Sequence, residues 1–469
     1  MTTVYRWTGR EAKLLRQALR LSIRDFAARL GVGVRTVNKW EARRADITPL
    51  PYMQEVLDTT LARASDEAKA RFADSALLKR YDELVTSAVA GSDASGELVD
   101  DVGSDPVLTA PWNHRGTVEA LVALSGGGSP VDRRRFTLLT GAALTVPAHQ
   151  WLIRDPEPLV SGLSGGRVSG ALVDQLPTMI TTLRTMDDVA GGGTVLSLAG
   201  RAFGWVAGLL DQASYDEHTG RRLYIALAEL GQLAGWAAHD AGRPGLGQRY
   251  HVAALHAAHS ADDRPLGAHI LGGMADQAAR HGRAAEAVAL IETAVFGIRG
   301  WETPRLVAEL YIRKAYALAT MKDGLACVAA VAKARTQVEQ FQPDGDPRWL
   351  YWVTPAEITA GAGDCLLQLG QPDRATALLD GGIALFDDSF VRDRQIYLTH
   401  LAEALARPGK QRDMDAATDR GLAALHLTES LTSTRGIDCL RDLYRQMQPH
   451  ASVPAVGDFL ERARGVLAA

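Results

Sequence analysis

Between residues 21 and 41, in LSIRDFAARLGVGVRTVNKWE, apolar positions recur at helical spacing in two short runs parted by a glycine. Phe26, Ala27 and Leu30 share one face of the first run, and Ser22 stands at the N-cap position. Gly31 permits a turn with positive φ, Val32 plugs the corner, and Gly33 opens the second run. There Val37 and Trp40 point inward at i and i+3, leaving Val34, Arg35, Thr36, Asn38 and Lys39 outward. The spacing predicts two short helices around a tight turn, the second burying one stripe and presenting a polar, basic one.

Further along, Pro49 and Pro51 stop one helix, and Val56, Leu57 and Leu61 belong to another expected to run to about Tyr81. Residues 87–111 are rich in Ser, Gly and Asp and read as a mobile linker. A short helix is expected over Thr117–Leu124, then a second flexible joint, SGGGSP, at 125–130. Residues 132–164 read as a connecting segment with a buried helix. From about 165 the chain is a series of Ala/Leu-rich helices in which small residues recur. Gly235, Gly242, Gly247 and Ala254 make one set, and Ala275, Gly282, Ala287 and Ala294 a second. Ala315, Lys322, Cys327 and Ala334 make a weaker third, and Gly363, Gly370, Ala375 and Gly382 a fourth. The turn positions 242, 282, 322 and 370 mark helix pairs that cannot bury their apolar faces alone. Further pairs are expected over 170–213, 392–428 and 433–467. The fold class is therefore all-α, with a head over 1–85, a linker over 86–131 and a helical-repeat domain over 165–469.

Charge changes the picture locally. The chain has 51 Lys/Arg and 55 Asp/Glu, yet residues 1–50 hold eleven bases against four acids, so a +7 head joins a −11 remainder. A basic head suits a polyanion, and a helix showing Arg, Thr, Asn and Lys fits a DNA major groove. Arg43 and Arg44, just past the second helix, stand where phosphate contacts are expected. Three widely spaced cysteines without a CxxC argue for a reducing cytoplasm rather than disulfides or structural zinc. Residues 132–151, with Arg133, Arg134 and Phe136 before an apolar run, imitate a twin-arginine export signal. The run is internal and broken by Pro147, so neither export nor a membrane partner is expected. No P-loop, GxSxG, HExxH or dinucleotide fingerprint occurs, and no enzyme activity or cofactor is expected. His256 and His259, at i and i+3, have chelating spacing, but no cysteine or carboxylate pair joins them and no metal is expected.

Residues 21–41 resemble the helix-turn-helix of lambda-repressor-like (XRE-family) regulators, with Leu21, Ser22, Ala27, Leu30, Gly31, Val32, Trp40 and Glu41 in register. Ile23 and Gly33 depart from the usual Gln and Ser. The resemblance implies binding of double-stranded DNA as a homodimer, through Ser22, Arg24, Val34, Arg35, Thr36, Asn38, Lys39, Arg43 and Arg44. The small-residue sets resemble tetratricopeptide (TPR) repeats. The whole plan is similar to actinobacterial XRE-type regulators with a C-terminal TPR-like domain, and in architecture to the peptide-responsive RRNPP regulators.

Carrying the TPR pattern across places Glu229, Gln232, Trp236, His239 and Asp240 on the first inner face. His269, Asp276 and Arg280 fall on the second, Glu309 and Tyr316 on the third, and Glu357, Asp364 and Gln368 on the fourth. Such an acidic groove with aromatic platforms implies a cationic small molecule or a peptide with a free amine as ligand. The aromatic segment PRWLYWVTP (347–355) is expected to cap the core, or else to lid the groove. Two rival readings stay open: a constitutive dimeric repressor whose repeats only dimerise, and an adaptor whose groove binds a partner protein.

Overall fold

The computed structural model describes residues 7–43, 47–65, 67–69, 72, 105–125, 137–157, 162–163, 165–341 and 345–468. The fold is all-α, with one two-stranded antiparallel ribbon pairing Gly162–Leu163 with Ser214–Tyr215. The chain divides into two units, residues 1–95 and 96–469.

In the first unit, helices α1 (Gly9–Ala18), α2 (Ile23–Leu30), α3 (Val34–Arg43) and α4 (Pro51–Ala62) enclose a small core of Trp7, Leu15, Phe26, Leu30, Val37, Trp40, Leu57 and Phe72. Ser22 caps α2 by accepting the Asp25 N–H at 3.1 Å, and Gly31 ends it at φ 68°. Pro51 opens α4, where a missing N–H costs nothing. This helix ends at Ala62 rather than continuing to Tyr81, and residues 73–81 lie outside the described ones.

The second unit begins earlier than its linker-like composition suggests. A short helix α5 (Pro106–Thr109) is capped by Asp105, which accepts the Val107 N–H at 3.0 Å. The same carboxylate is buried and pairs with Arg249 at 2.6 Å. Residues 105–111, read from composition as mobile, are thus held by one buried ion pair. The rest of the joints, 87–104 and 126–130, and the arginines of 132–136 lie outside the described residues. Helix α6 (His114–Ser125) buries Thr117, Ala120 and Leu121. Helix α7 (Ala142–Ile153) inserts Trp151, fully buried, where Gly267 and Gly297 leave room. A Cβ at either glycine would lie 2.3–2.4 Å from the indole. Trp112 stacks on His256 at 3.9 Å and meets His259 edge-on at 5.3 Å, so both histidines serve this packing.

Seven helical hairpins follow: α8 (Gly170–Ala190) with α9 (Gly192–Gln212), α10 (Glu217–Asp240) with α11 (Pro244–Ser260), and α12 (Arg264–Arg280) with α13 (Ala284–Gly297). Next come α14 (Pro304–Thr320) with α15 (Gly324–Val338), and α16 (Pro355–Gln368) with α17 (Pro372–Ile383). The last are α18 (Val391–Ala406) with α19 (Met414–Thr428), and α20 (Thr434–Met447) with α21 (Pro454–Ala468). The predicted turn positions each take the left-handed conformation: Gly242 at φ 72°, Gly282 at 74°, Lys322 at 61° and Gly370 at 75°. Lys322 adopts it without glycine's freedom and bears the steric cost. Small residues sit where paired helices cross; a Cβ on Gly247 would lie 2.7 Å from the Gly235 carbonyl oxygen. Helix α9 is long and apolar enough to cross a membrane by length and composition. Its Val195, Ala199, Phe203 and Val206 are buried, and it packs against α6, α8 and α10.

The stack does not stay open. Thr432, just before α20, donates its N–H to the Ala190 carbonyl at 2.8 Å and accepts the Gly193 N–H at 2.8 Å. Ser433 donates to Asp240 at 2.8 Å, and Arg392 on α18 pairs with Asp187 on α8. The end of the repeat series therefore returns to its beginning, and the inner faces of α8, α10, α12, α14, α16, α18 and α20 converge on a common interior.

Candidate functional site

The first site is the outer face of α3. Val34, Arg35, Asn38 and Lys39 are exposed there, Thr36 is half-buried, and Arg24 is exposed on α2. Val37 and Trp40, 1% and 4% exposed, anchor the opposite face, so the exposed side chains project from a fixed backbone. Glu41 holds the helix from its flank: Arg16 on α1 donates to both of its carboxylate oxygens and also to the Leu21 carbonyl. Glu41, matched only by resemblance in the sequence, is thus a brace between α1 and α3. Ser22 is placed differently from a phosphate donor, because its hydroxyl caps α2 and donates to Asp25 at 2.6 Å. Arg44 lies outside the described residues, as does the side chain of Arg43. A row of polar and basic side chains on a buried-stripe helix can enter a major groove with its phosphates on either side.

The second site is the interior of the closed stack. It is a cavity of about 100 Å³, against roughly 10–15 Å³ for a single water. Aromatic walls come from Trp236, Tyr316, Tyr397 and the segment 347–355, which contributes Trp349, Tyr351 and Trp352. Trp349 stacks on His269 at 4.5 Å, so this segment is both buried packing and cavity wall. Arg313, Arg392 and Arg435 stand over the Trp236 ring at 5.8, 5.4 and 4.8 Å, an electrostatic use of its π face.

The predicted inner-face residues separate into three groups. Gln232, Trp236, His269, Asp276, Arg280, Tyr316, Glu357 and Asp364 do line this cavity. His239 and Gln368 line an adjacent outer cleft instead. Glu229, Asp240 and Glu309 line neither, being turned into ion pairs with Arg184, Arg435 and Arg313. The expected acidic groove needs correction. Arg184, Arg313, Arg392 and Arg435 join Arg280 in the cavity, so five guanidinium groups face six carboxylates. These arginines come from α8, α14, α18 and α20. Arg313 lies on a repeat helix, but α18 and α20 follow the last clear repeat and α8 precedes the first, so the repeat pattern could not bring in Arg184, Arg392 and Arg435.

Electrostatics sort the carboxylates. Burial alone would favour neutral Asp276, but Arg280 at 2.9 Å and Arg313 hold it well below the usual carboxylate range. Burial pushes Asp188 up to about 7 despite Arg392 nearby. Burial, then Asp393, push Glu357 up to about 7 as well; its bond from the Tyr397 hydroxyl at 2.8 Å and the more distant Arg313 and Arg435 oppose this. His400 stands between Asp364, with Nδ1 3.4 Å from its carboxylate, and Cys439, with Nε2 3.6 Å from Sγ. Burial lowers its pKa, but Asp364 and Cys439 more than reverse this, raising it to about 9. Burial pushes His239 and His251 down to about 3, with Asp276 only weakly opposing it.

A family model described as helix-turn-helix matches residues 13–50, the span that contains α2, the turn and α3. No curated protein matches the chain. Geometry and match agree: the head is an XRE-type helix-turn-helix, the DNA-binding part of a transcriptional regulator.

Proposed function

We propose that this regulator reads its operator as a homodimer and that residues 165–469, a TPR-like repeat domain, sense a small molecule in the closed cavity. The cavity is the observation that supports the sensing half. An interior built only for stability is filled with apolar side chains, whereas this one keeps open space among aromatic rings, guanidinium groups and carboxylates. Dimerisation rests on a physical argument: one small head reads too few base pairs for a specific site, and two heads on a symmetric operator remedy this.

The mechanism is a shift between two closures of the repeat stack. A ligand that binds one closure better favours it by the difference in affinity, and so alters how two protomers present their heads. Arg35, Lys39 and Asn38 read base edges in this scheme. Arg24 and the pair Arg43 and Arg44 contact phosphates, and Ser22 acts indirectly by holding α2.

The test is to select an operator from random duplexes with the full chain, then measure affinity with and without fractionated cell extract. A saturable change in affinity supports sensing. No change with any fraction leaves a constitutive dimeric regulator, whose arginine–carboxylate lattice merely closes the stack. Light scattering of the full chain tests the dimer, with twice 50.3 kDa expected.

A further inference from the structure

We infer that the cavity takes an organic ammonium ion with an apolar or aromatic body, and that its charged nitrogen pairs with Glu357. The inference rests on the sensing role proposed above and names the chemistry of its ligand.

The argument is a census of charge inside the closed stack. Each of the five arginines already has a carboxylate: Arg184 with Glu229 at 2.8 Å, Arg280 with Asp276 at 2.9 Å, and Arg313 with Glu309 at 3.0 Å. Arg392 holds Asp187, and Arg435 lies 3.4 Å from Asp240. An anionic ligand would have to displace one of these carboxylates and leave it buried without a partner. The opposite situation holds on α16. Glu357 is 9% exposed, lines the cavity, and has no basic group within ion-pair distance among the described residues. Among the described residues its carboxyl group accepts one hydrogen bond, from Tyr397, whose hydroxyl in turn lies 3.1 Å from that of Tyr316.

A buried carboxyl group without a cation is costly when ionised, so it stays partly protonated until one arrives. The groups facing it are Asp393 and Tyr397 from α18, Arg313 and Tyr316 from α14, and Arg435 from α20. Asp393 opposes ionisation, and the two arginines are too occupied by their own carboxylates to support it fully. That balance holds the Glu357 carboxyl near a pKa of 7. A ligand ammonium would supply the missing charge, with tyrosine rings as flanking faces. Trp349 and Trp352 offer the apolar wall for its body.

Isothermal calorimetry on the full chain tests this with a panel of butylamine, cyclohexylamine, phenethylamine and tryptamine. Two matched probes, 2-phenylethanol and 3-phenylpropionate, replace the ammonium by a neutral and an anionic group. The expected result is saturable binding of at least one amine, roughly tenfold or more tighter than its matched probes. Because binding needs the ionised carboxyl, affinity should rise from about pH 6 to about pH 8. Glu357→Gln should reduce the best amine to the level of the alcohol while the protein still melts cooperatively. The inference is overturned if 3-phenylpropionate matches phenethylamine, or if Glu357→Gln binds amines undiminished. It also fails if no amine binds up to about 10 mM, a concentration at which even weak pairing registers. Extract that still shifts operator affinity in that last case would leave the sensing role standing and remove only the amine.

Discussion

The head and the repeat domain place their charges in opposite ways. In the head, an apolar core carries the stability, and Arg24, Arg35 and Lys39 stand in water where an unpaired charge costs nothing. In the repeat domain a second set of charges is buried inside, and almost every one of these is matched, Arg392 alone meeting Asp187, Asp188 and Asp393. An exposed, unpaired charge is available to a partner; a buried one is available only where its match is missing. The difference locates function by the same criterion in both regions: the open row on α3, and Glu357 in the cavity.

The comparison breaks most decisively at Arg392. Replacing it by Leu strands two buried carboxylates and should cost about 3–5 kcal/mol. Calorimetry of the full chain should show this in the transition of residues 96–469, with the head transition unmoved. If both transitions fall together, the two units are not energetically separate.

A smaller effect concerns pH. The raised pKa of Glu357 means the folded state holds its proton more tightly than the unfolded chain, whose ordinary value is 4.5. Stability from this group is thus present at low pH and is lost as pH rises from about 4.5 through about 7, by up to about 3 kcal/mol. Asp188 adds in the same direction, starting from 3.8. Melting temperatures of wild type and Glu357→Gln across this window should diverge, the variant falling less steeply. Parallel curves would mean that folding leaves the pKa of Glu357 where it is in the unfolded chain.

On the head, Arg35→Ala and Lys39→Ala should each weaken operator binding by about 1–3 kcal/mol and leave melting unchanged. Arg24→Ala should weaken all duplexes alike and lower the salt slope by about one ion. Equal, sequence-independent losses at all three positions would remove base reading from α3. The smallest effect is at Ser22, where alanine removes the cap of α2 and should cost about 1 kcal/mol of head stability. A loss of DNA affinity without loss of stability would show instead that Ser22 touches phosphate.

How much of this was legible in the sequence depends on the distance over which residues cooperate. The head was readable because Phe26, Leu30, Val37 and Trp40 act within one or two turns of each other. The hairpins were readable because a turn at 242 or 370 and a small residue at 247 or 382 are local requirements of two helices crossing. The sign of the cavity was not readable. Arg392 and Arg435 lie where the small-residue signature has faded, and Arg184 lies before it begins. Arg392 and Arg435 meet Trp236 only because the stack turns back on itself, and no periodicity encodes that curvature. The brace of Arg16 on Glu41 escaped for a related reason, since an ion pair between non-adjacent helices leaves no spacing to find.

The seam at Thr432 has a consequence for the history of such a chain. It joins residues 238 and 242 positions apart, to Thr194 and Ala190. An open solenoid tolerates the gain or loss of a unit, because each unit answers only to its neighbours. A stack closed by a seam does not: one hairpin more or fewer moves Thr432 away from Ala190 and Gly193 by the width of a helix pair. Closure thus turns repeat number into a fixed quantity. Variation is channelled into loop lengths and inner side chains, which change what the interior admits without changing whether it shuts.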